Sequence, residues 1–385
     1  MKTKLSLVAL AIGTFALGIA EFSMMGILSD VSNELHIPVS TAGHLISAYS
    51  LGVAVGAPLL IVMRKLPLRK VLLILASVIA AGNTFAALAP EFYTLLCARF
   101  ISGLPHGAFF GCGSIVCTRL AAKGHGAAAV AVMIGGMTVA NVIGVPAATF
   151  ISNLLAWRWA FALVALFGLF AVIAIRSWVP VLDALPDTGL KGQFRFLRSG
   201  APWLIYGGVF FGQASVYCWL SYVSPIMTRI TGFTLADMTW IMMLIGVGMV
   251  VGNFIAGKLA DRYYPGMVSA SIAAILMAVM SGIYFCVDYK VVTLLLAFIA
   301  SAGLFGIGGP PQFLIVRFSK GGEMLGGAGI QIAFNVSNAC SAAIGGFAIH
   351  KGLGLASPAL IGIPFALIGL ICFVMLHHKY KSQGA

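Results

Sequence analysis

Apolar runs of about twenty residues, parted by short gaps that hold charges, Pro and Gly, recur along all 385 residues of the chain. A run of that length crosses a hydrocarbon core of about 30 Å as a helix. The pattern predicts twelve such spans, near 5–28, 41–63, 71–89, 94–117, 126–152, 157–179, 201–223, 235–257, 267–286, 291–313, 324–349 and 357–377. Membrane strands would show shorter alternating segments, so the expected fold class is all-α. The opening MKTKLSLVALAIGTFALG has the two lysines and apolar stretch of a signal peptide. That stretch runs on to about Leu28, too long for a signal, and an uncleaved first helix is expected.

Composition agrees with the pattern. The chain is 61% hydrophobic and 9% charged, with a mean hydropathy of +1.04, whereas soluble proteins carry about 25% charged residues. An integral membrane protein is implied. The net charge of +13 raises nucleic acid as a partner, but the basic residues sit in short gaps between apolar runs, and no basic patch on a soluble face exists to read it. Orientation accounts for them better. With a cytoplasmic amino terminus, eighteen of the 23 Lys and Arg fall in inside segments and four (Arg158, Arg229, Lys290, Lys351) in outside gaps. The one left over, Arg99, falls within a span. That asymmetry predicts both termini in the cytoplasm.

The longest hydrophilic gap divides the chain into a first six-helix half (1–179), a cytoplasmic linker (180–200) and a second half (201–385). Within the linker, GLKGQFRFLRSG alternates basic and aromatic residues; it suits a stretch lying on the lipid surface or a plain solvated connection. The halves echo each other: MRKLPLRK at 63–70 follows the second span and GKLADR at 257–262 the eighth. Basic turns at corresponding places are what a repeated six-helix unit gives.

With these residues in view, the chain resembles the major facilitator superfamily, whose fold is twelve helices in two halves around a central cavity. Gly257, Asp261 and Arg262 in GKLADR match its cytoplasmic loop motif, although Tyr264-Pro265 follow in place of Gly-Arg and Met63 replaces the Asp of the first-half copy. Arg99-Phe-Ile-Ser-Gly103 resembles the Arg-x-x-x-Gly motif of proton-coupled members. GGMTVANVIGVP, with Gly135, Asn141, Gly144 and Pro146, is similar to the antiporter motif of exporters, its proline one residue late. Together with AEFSMMGIL, RFISGLPHGAFFG and GQFRFLRSGAPW, these stretches look like the arabinose-efflux-permease-like group of drug and metabolite exporters. The resemblance implies a monomeric, proton-coupled exporter of the bacterial inner membrane. It also implies a sugar-, nucleoside- or drug-like cargo and no cofactor, with the proton gradient as energy source.

The intramembrane polar residues suggest how. Glu21 lies about seven residues below the outer end of its span and Arg99 about five, which at ~1.5 Å per residue puts both roughly 8–11 Å deep. A charge at mid-membrane costs about 2.5–3.5 kcal/mol on insertion scales and normally faces a partner or a wet cavity. The resemblance places both on cavity-lining helices, where Glu21 can take and release a proton once per cycle. A static pair holding the helices in register is the alternative, and Arg99 can instead satisfy backbone carbonyls. His106, seven residues beyond Arg99 on the same face, is either a proton relay or a packing residue. The glycines around Gly135 and Gly144 are expected to let the fifth helix pack closely, with Pro146 able to kink it. Gln213 and Tyr217 share a face at four-residue spacing, as do Gln331 and Asn335; with Asn141 and Phe110 they are candidate contacts for a small polar or amphipathic substrate, or simply bonds between helices.

Other chemistries find little purchase. No GxxxxGK[ST] run marks an ATP site, so ATP-driven pumping is not expected, and the chain is read as a transporter and not an enzyme. The histidines are scattered without ligand spacing, and the seven cysteines read as buried small hydrophobes. The absence of a dense acidic cluster disfavours a polycationic substrate. An uptake symporter or facilitator of the same fold, and a non-transporting membrane sensor or scaffold, remain the other functions this sequence admits.

Overall fold

A computed structural model describes residues 2–58, 63, 65–122, 126–184, 195–319 and 323–384, and among these all regular structure is helical. Residues 185–194 of the 180–200 linker, and the side chain of Asp261, lie outside the described residues.

The helices run α1 (Lys2–Gly26), α2 (Leu28–Glu34), α3 (Val39–Ala42), α4 (His44–Gly56), α5 (Leu68–Ala87), α6 (Phe92–Gly103), α7 (Pro105–Leu120) and α8 (Gly126–Val139). A π-helical turn (Ala140–Gly144) joins α8 to α9 (Val145–Leu154), and α10 (Trp157–Trp178) follows. The remainder is α11 (Gly200–Leu220), α12 (Val223–Arg229), α13 (Met238–Arg262), α14 (Pro265–Cys286), α15 (Lys290–Gly306), α16 (Gly309–Phe318), α17 (Glu323–His350) and α18 (Ser357–Gly384). Among the described residues, ten stretches are long and apolar enough to cross a membrane. Adding α4 and α11, at the second and seventh expected spans, is compatible with twelve.

Two spans depart from continuous helices. The fourth is two pieces, α6 and α7, because Pro105 has no N–H; the Ile101 carbonyl accepts instead from the Leu104 N–H at 3.2 Å. In the fifth, Pro146 removes a bond and crowds the carbonyl four residues back, and the chain widens into the π turn just before it. The expected disturbance at Pro146 is therefore a bulge at Ala140–Gly144.

By contacts the chain forms two compact units: Met1–Ile37 with Ala48–Asp187 and Met238–Met243, and Pro38–Ser47 with Thr188–Asp237 and Leu244–Ala385. In the first, backbones meet where side chains vanish. A Cβ on Gly103 would stand 2.1 Å from the Tyr49 carbonyl oxygen, and one on Gly52 2.2 Å from that of Phe100, so α4 and α6 touch main chain to main chain. On the other side of α1, the Thr14 hydroxyl donates to the Met133 carbonyl at 2.5 Å. Small residues and carbonyl-directed hydroxyls are how helices associate where lipid removes the hydrophobic drive.

The second unit is tied likewise. The Tyr222 hydroxyl donates to the Ala342 carbonyl at 2.6 Å and Ser337 to Phe210 at 2.7 Å, joining α11–α12 to α17. Ser47, at the start of α4, donates to the Ala339 carbonyl at 2.8 Å. Of the seven cysteines, Cys112, Cys117 and Cys218 are buried as expected, while Cys97 is exposed.

The packing role expected of Gly135 falls to its neighbour. A Cβ on Gly136 would lie 2.0 Å from the Ala11 carbonyl oxygen, whereas one on Gly135 would meet nothing within 4 Å. Gly136→Ala should thus destabilise the purified protein by about 1–3 kcal/mol through overpacking. Gly135→Ala should be neutral or slightly stabilising through helix propensity. Thermal melts of the two variants in one detergent check this; equal melts would refute the assignment.

Candidate functional site

Four polar side chains meet inside the first unit, one from each of α1, α4, α6 and α7. Glu21 is 1% exposed, Arg99 0% and His106 3%. The close contact of Gly103 with the Tyr49 backbone sets the Tyr49 ring under Arg99, whose guanidinium carbon is 4.4 Å from the ring centroid and 5.5 Å from that of Phe161. Its Nη1 donates to the Ala20 carbonyl at 2.7 Å. A guanidinium thus caged by π faces and a carbonyl tolerates burial because its charge is spread over a plane.

His106 links the cluster. Its Nδ1 lies 2.9 Å from the Tyr49 hydroxyl, and its Nε2 lies 3.8 Å from Glu21 Oε2. The helix breaks between Arg99 and His106, yet both reach the same cluster. Phe110 stacks on the imidazole at 5.3 Å between centroids and 19° between planes; this candidate substrate residue is therefore also a cover for His106. Neither Glu21 carboxylate oxygen has a hydrogen-bond partner among the described residues. A buried carboxylate without donors is costly, so this group is driven to hold a proton or to gain a partner. The arrangement can bind and release one proton.

The remaining substrate candidates separate. Asn141 sits in the π turn of the first unit, buried, its Oδ1 without a partner among the described residues. The other four belong to the second unit. Gln213 is buried and its Nε2 donates to the Leu304 carbonyl at 3.4 Å. Tyr217 packs edge-on against Phe334 at 5.4 Å, and Phe334 against Phe305 at 6.4 Å. The paired spacing of Gln331 and Asn335 turns out differently from the expected side-chain pair. Asn335 Nδ2 donates to the Gln331 main-chain carbonyl at 3.0 Å, and the Gln331 side chain is exposed. Gln213 Oε1 and Asn335 Oδ1 both lack donors among the described residues.

Of the motif residues, Gly103 makes the close approach described above, and a Cβ on Gly144 would meet Ile19 Cγ1 at 2.6 Å. A Cβ on Gly257 would meet nothing within 4 Å, and Arg262 is exposed at the end of α13.

Two residues escaped the sequence reading. Tyr49 had a signal: a lone tyrosine in an apolar span must find a partner for its hydroxyl. Asn338 is fully buried with neither amide atom hydrogen-bonded among the described residues. It lies three residues after Asn335 and seven after Gln331, so helical periodicity already placed it on their face.

Membrane-length helices enclosing a buried carboxylate, guanidinium and imidazole define a membrane protein of the secondary-transporter class. The comparisons with known proteins make that specific. Residues 10–329 match the Major Facilitator Superfamily profile, and the chain belongs to that family of transporters, which are not enzymes. It is 42% identical over 382 residues to the putative transporter AraJ of Escherichia coli (strain K12), covering 98% of this chain and 96% of that one. It is 28% identical over 380 residues to a chloramphenicol resistance protein of Streptomyces lividans, covering 96% of this chain and 95% of that one. In fold it is similar to a bacterial homolog of the human lysosomal transporter Spinster, with a TM-score of 0.77 at 15% identity, covering 100% of this chain and 98% of the other.

The energetics of the cluster differ between its members. Glu21→Gln removes a carboxylate without donors and should leave the melting temperature equal or higher. Arg99→Lys loses the planar fork and its stacked faces, and should cost about 1.5–3 kcal/mol, as for a hydrogen bond to a charged group. Melts of the purified variants test this, and a Glu21→Gln loss as large as that of Arg99→Lys would sink it.

Proposed function

We propose that the protein is a proton-coupled exporter of a small sugar-, nucleoside- or drug-like molecule in the bacterial inner membrane, with both termini cytoplasmic. The observation that carries this reading is the buried Glu21 carboxylate, without donors, 3.8 Å from His106 Nε2 and one residue beyond the Ala20 carbonyl that holds Arg99. Alternating access moves this group between a wet setting, which favours the carboxylate, and a dry one, which favours the acid. One proton taken from outside and released inside drives one cargo outward, with Arg99 holding the local field in both states.

The cargo reading rests on neutral groups. Gln213, Asn335 and Asn338 offer buried amide atoms with unused hydrogen-bonding capacity, and Phe305, Phe334 and Tyr217 offer aromatic faces beside them. Such a lining suits an uncharged molecule carrying hydroxyls or amides on an apolar body. The resistance protein among the relatives supports a drug-like cargo. The inner membrane and the inward termini are supported by the Escherichia coli relative and by the distribution of Lys and Arg.

Inverted vesicles with an imposed proton gradient test the reading, using pentoses, nucleosides, chloramphenicol-like drugs and organic cations. Uphill accumulation of one neutral cargo with matching proton flux is expected, and Glu21→Gln should lose at least tenfold of the gradient-driven component. Undiminished uphill transport by Glu21→Gln would remove the proton role, and accumulation with the opposite gradient would make the protein a symporter. Asn338→Ala should raise the KM for that cargo severalfold with kcat little changed, because a binding contact common to ground and transition states is lost. An unchanged KM would take Asn338 out of the cargo site.

A further inference from the structure

The imidazole of His106 is hydrogen-bonded at Nδ1 and faces the Glu21 carboxylate at Nε2, and the two contacts are not independent. Nδ1 lies 2.9 Å from the Tyr49 hydroxyl, and Nε2 lies 3.8 Å from Glu21 Oε2. The same Tyr49 hydroxyl is 3.5 Å from the Leu17 carbonyl on α1, one turn before Glu21. A neutral imidazole carries one N–H, so it donates at one nitrogen and accepts at the other. The groups facing the ring are Glu21 from α1 and Tyr49 from α4, whose own ring carries the Arg99 guanidinium of α6, while Phe110 of α7 covers its face.

We infer that Tyr49 is a positioning residue of the proton site, whose hydroxyl follows the tautomer of His106 and so reports the state of Glu21 to the α1–α4 contact. This inference rests on the reading of Glu21 as the proton carrier. With Glu21 ionised, Nε2–H points to the carboxylate and the Tyr49 O–H is donated to Nδ1. With Glu21 protonated, its O–H is donated to Nε2, Nδ1 carries the ring hydrogen and donates to the Tyr49 oxygen, and the Tyr49 O–H turns to the Leu17 carbonyl. One proton is added overall. The Nε2–H bond breaks as the Oε2–H bond forms, a proton delivered by water ends on Nδ1, and Tyr49 keeps its own proton and only rotates. While its hydroxyl rests on Nδ1 it blocks that lone pair, so its rotation is required for loading. The switch exchanges a side-chain bond within the cluster for a bond between α4 and the α1 main chain, which couples proton loading to the packing of those helices.

The test is 15N NMR of the full-length protein labelled at histidine, in detergent or nanodiscs, where the two tautomers give distinct ring-nitrogen shifts. The His106 signals are identified by their loss in His106→Gln, or in His106→Asn where Gln is not accommodated. The parent at high pH should show the Nε2–H tautomer, and Glu21→Gln, whose amide donates as the protonated acid does, the Nδ1–H tautomer. Tyr49→Phe keeps the ring beneath Arg99 and removes only the hydroxyl. It should stay folded and move the pH midpoint of the His106 change by about half a unit or more, as the loss of one hydrogen bond predicts. The same tautomer in parent and Glu21→Gln, or an unmoved midpoint in Tyr49→Phe, would overturn the inference. Proton flux in vesicles separates the two readings: a tautomer change without coupled flux defeats only the exporter reading, and coupled flux without a tautomer change defeats only this one.

Discussion

A guanidinium that reaches no water governs the first unit. Arg99 is fully buried, and a buried cation must be covered on every side by groups that replace its hydration. The Ala20 carbonyl and the faces of Tyr49 and Phe161 do so. To bring them there, α6 must lie against α4 at main-chain distance, which Gly52 and Gly103 permit. The motif's arginine and its glycine four residues on are thus one device: the glycine makes the approach, and the approach makes the cage.

Once Arg99 is covered in this way, Glu21 is the member of the cluster left with least. Its oxygens lack donors among the described residues, and the His106 imidazole beside it is beyond hydrogen-bond length. A fully bonded carboxylate would hold its charge in every conformation and serve only as a strut. One that is poorly bonded has two states close in free energy, and a small change in surroundings selects between them. The second unit has the neutral version of this economy, in amides such as Asn338 whose capacity the fold leaves unused. Polar groups kept short of partners are where a transporter can exchange bonds with what it carries.

Much of this was legible along the chain. Runs of apolar residues cannot be hidden from a membrane, so the spans, Glu21, Arg99 and the disturbance at Pro146 are legible along the chain, whereas the break before Pro105 was not anticipated. What misled was equivalence between neighbours. Gly135 and Gly136 are identical in sequence terms, and which one meets α1 depends on the rotation of α8 by a single residue, about 100°. Gln331 and Asn335 share a face by spacing, yet that spacing is met by a side-chain bond to main chain, with Gln331 outward.

The sequence by itself determined that this is a helical membrane protein, where its spans lie and which charges they must hide, because the transfer of apolar and charged groups into lipid depends on residue type and run length alone. It also carried the family, through motifs short enough to survive in one segment. Only the tertiary structure decided who stands beside Glu21. Tyr49, His106 and Arg99 are separated by up to 57 residues along the chain, and their meeting depends on helix rotation, on a break at Pro105 and on two glycines that set a contact distance. Those are properties of packing between helices, and no single segment contains them.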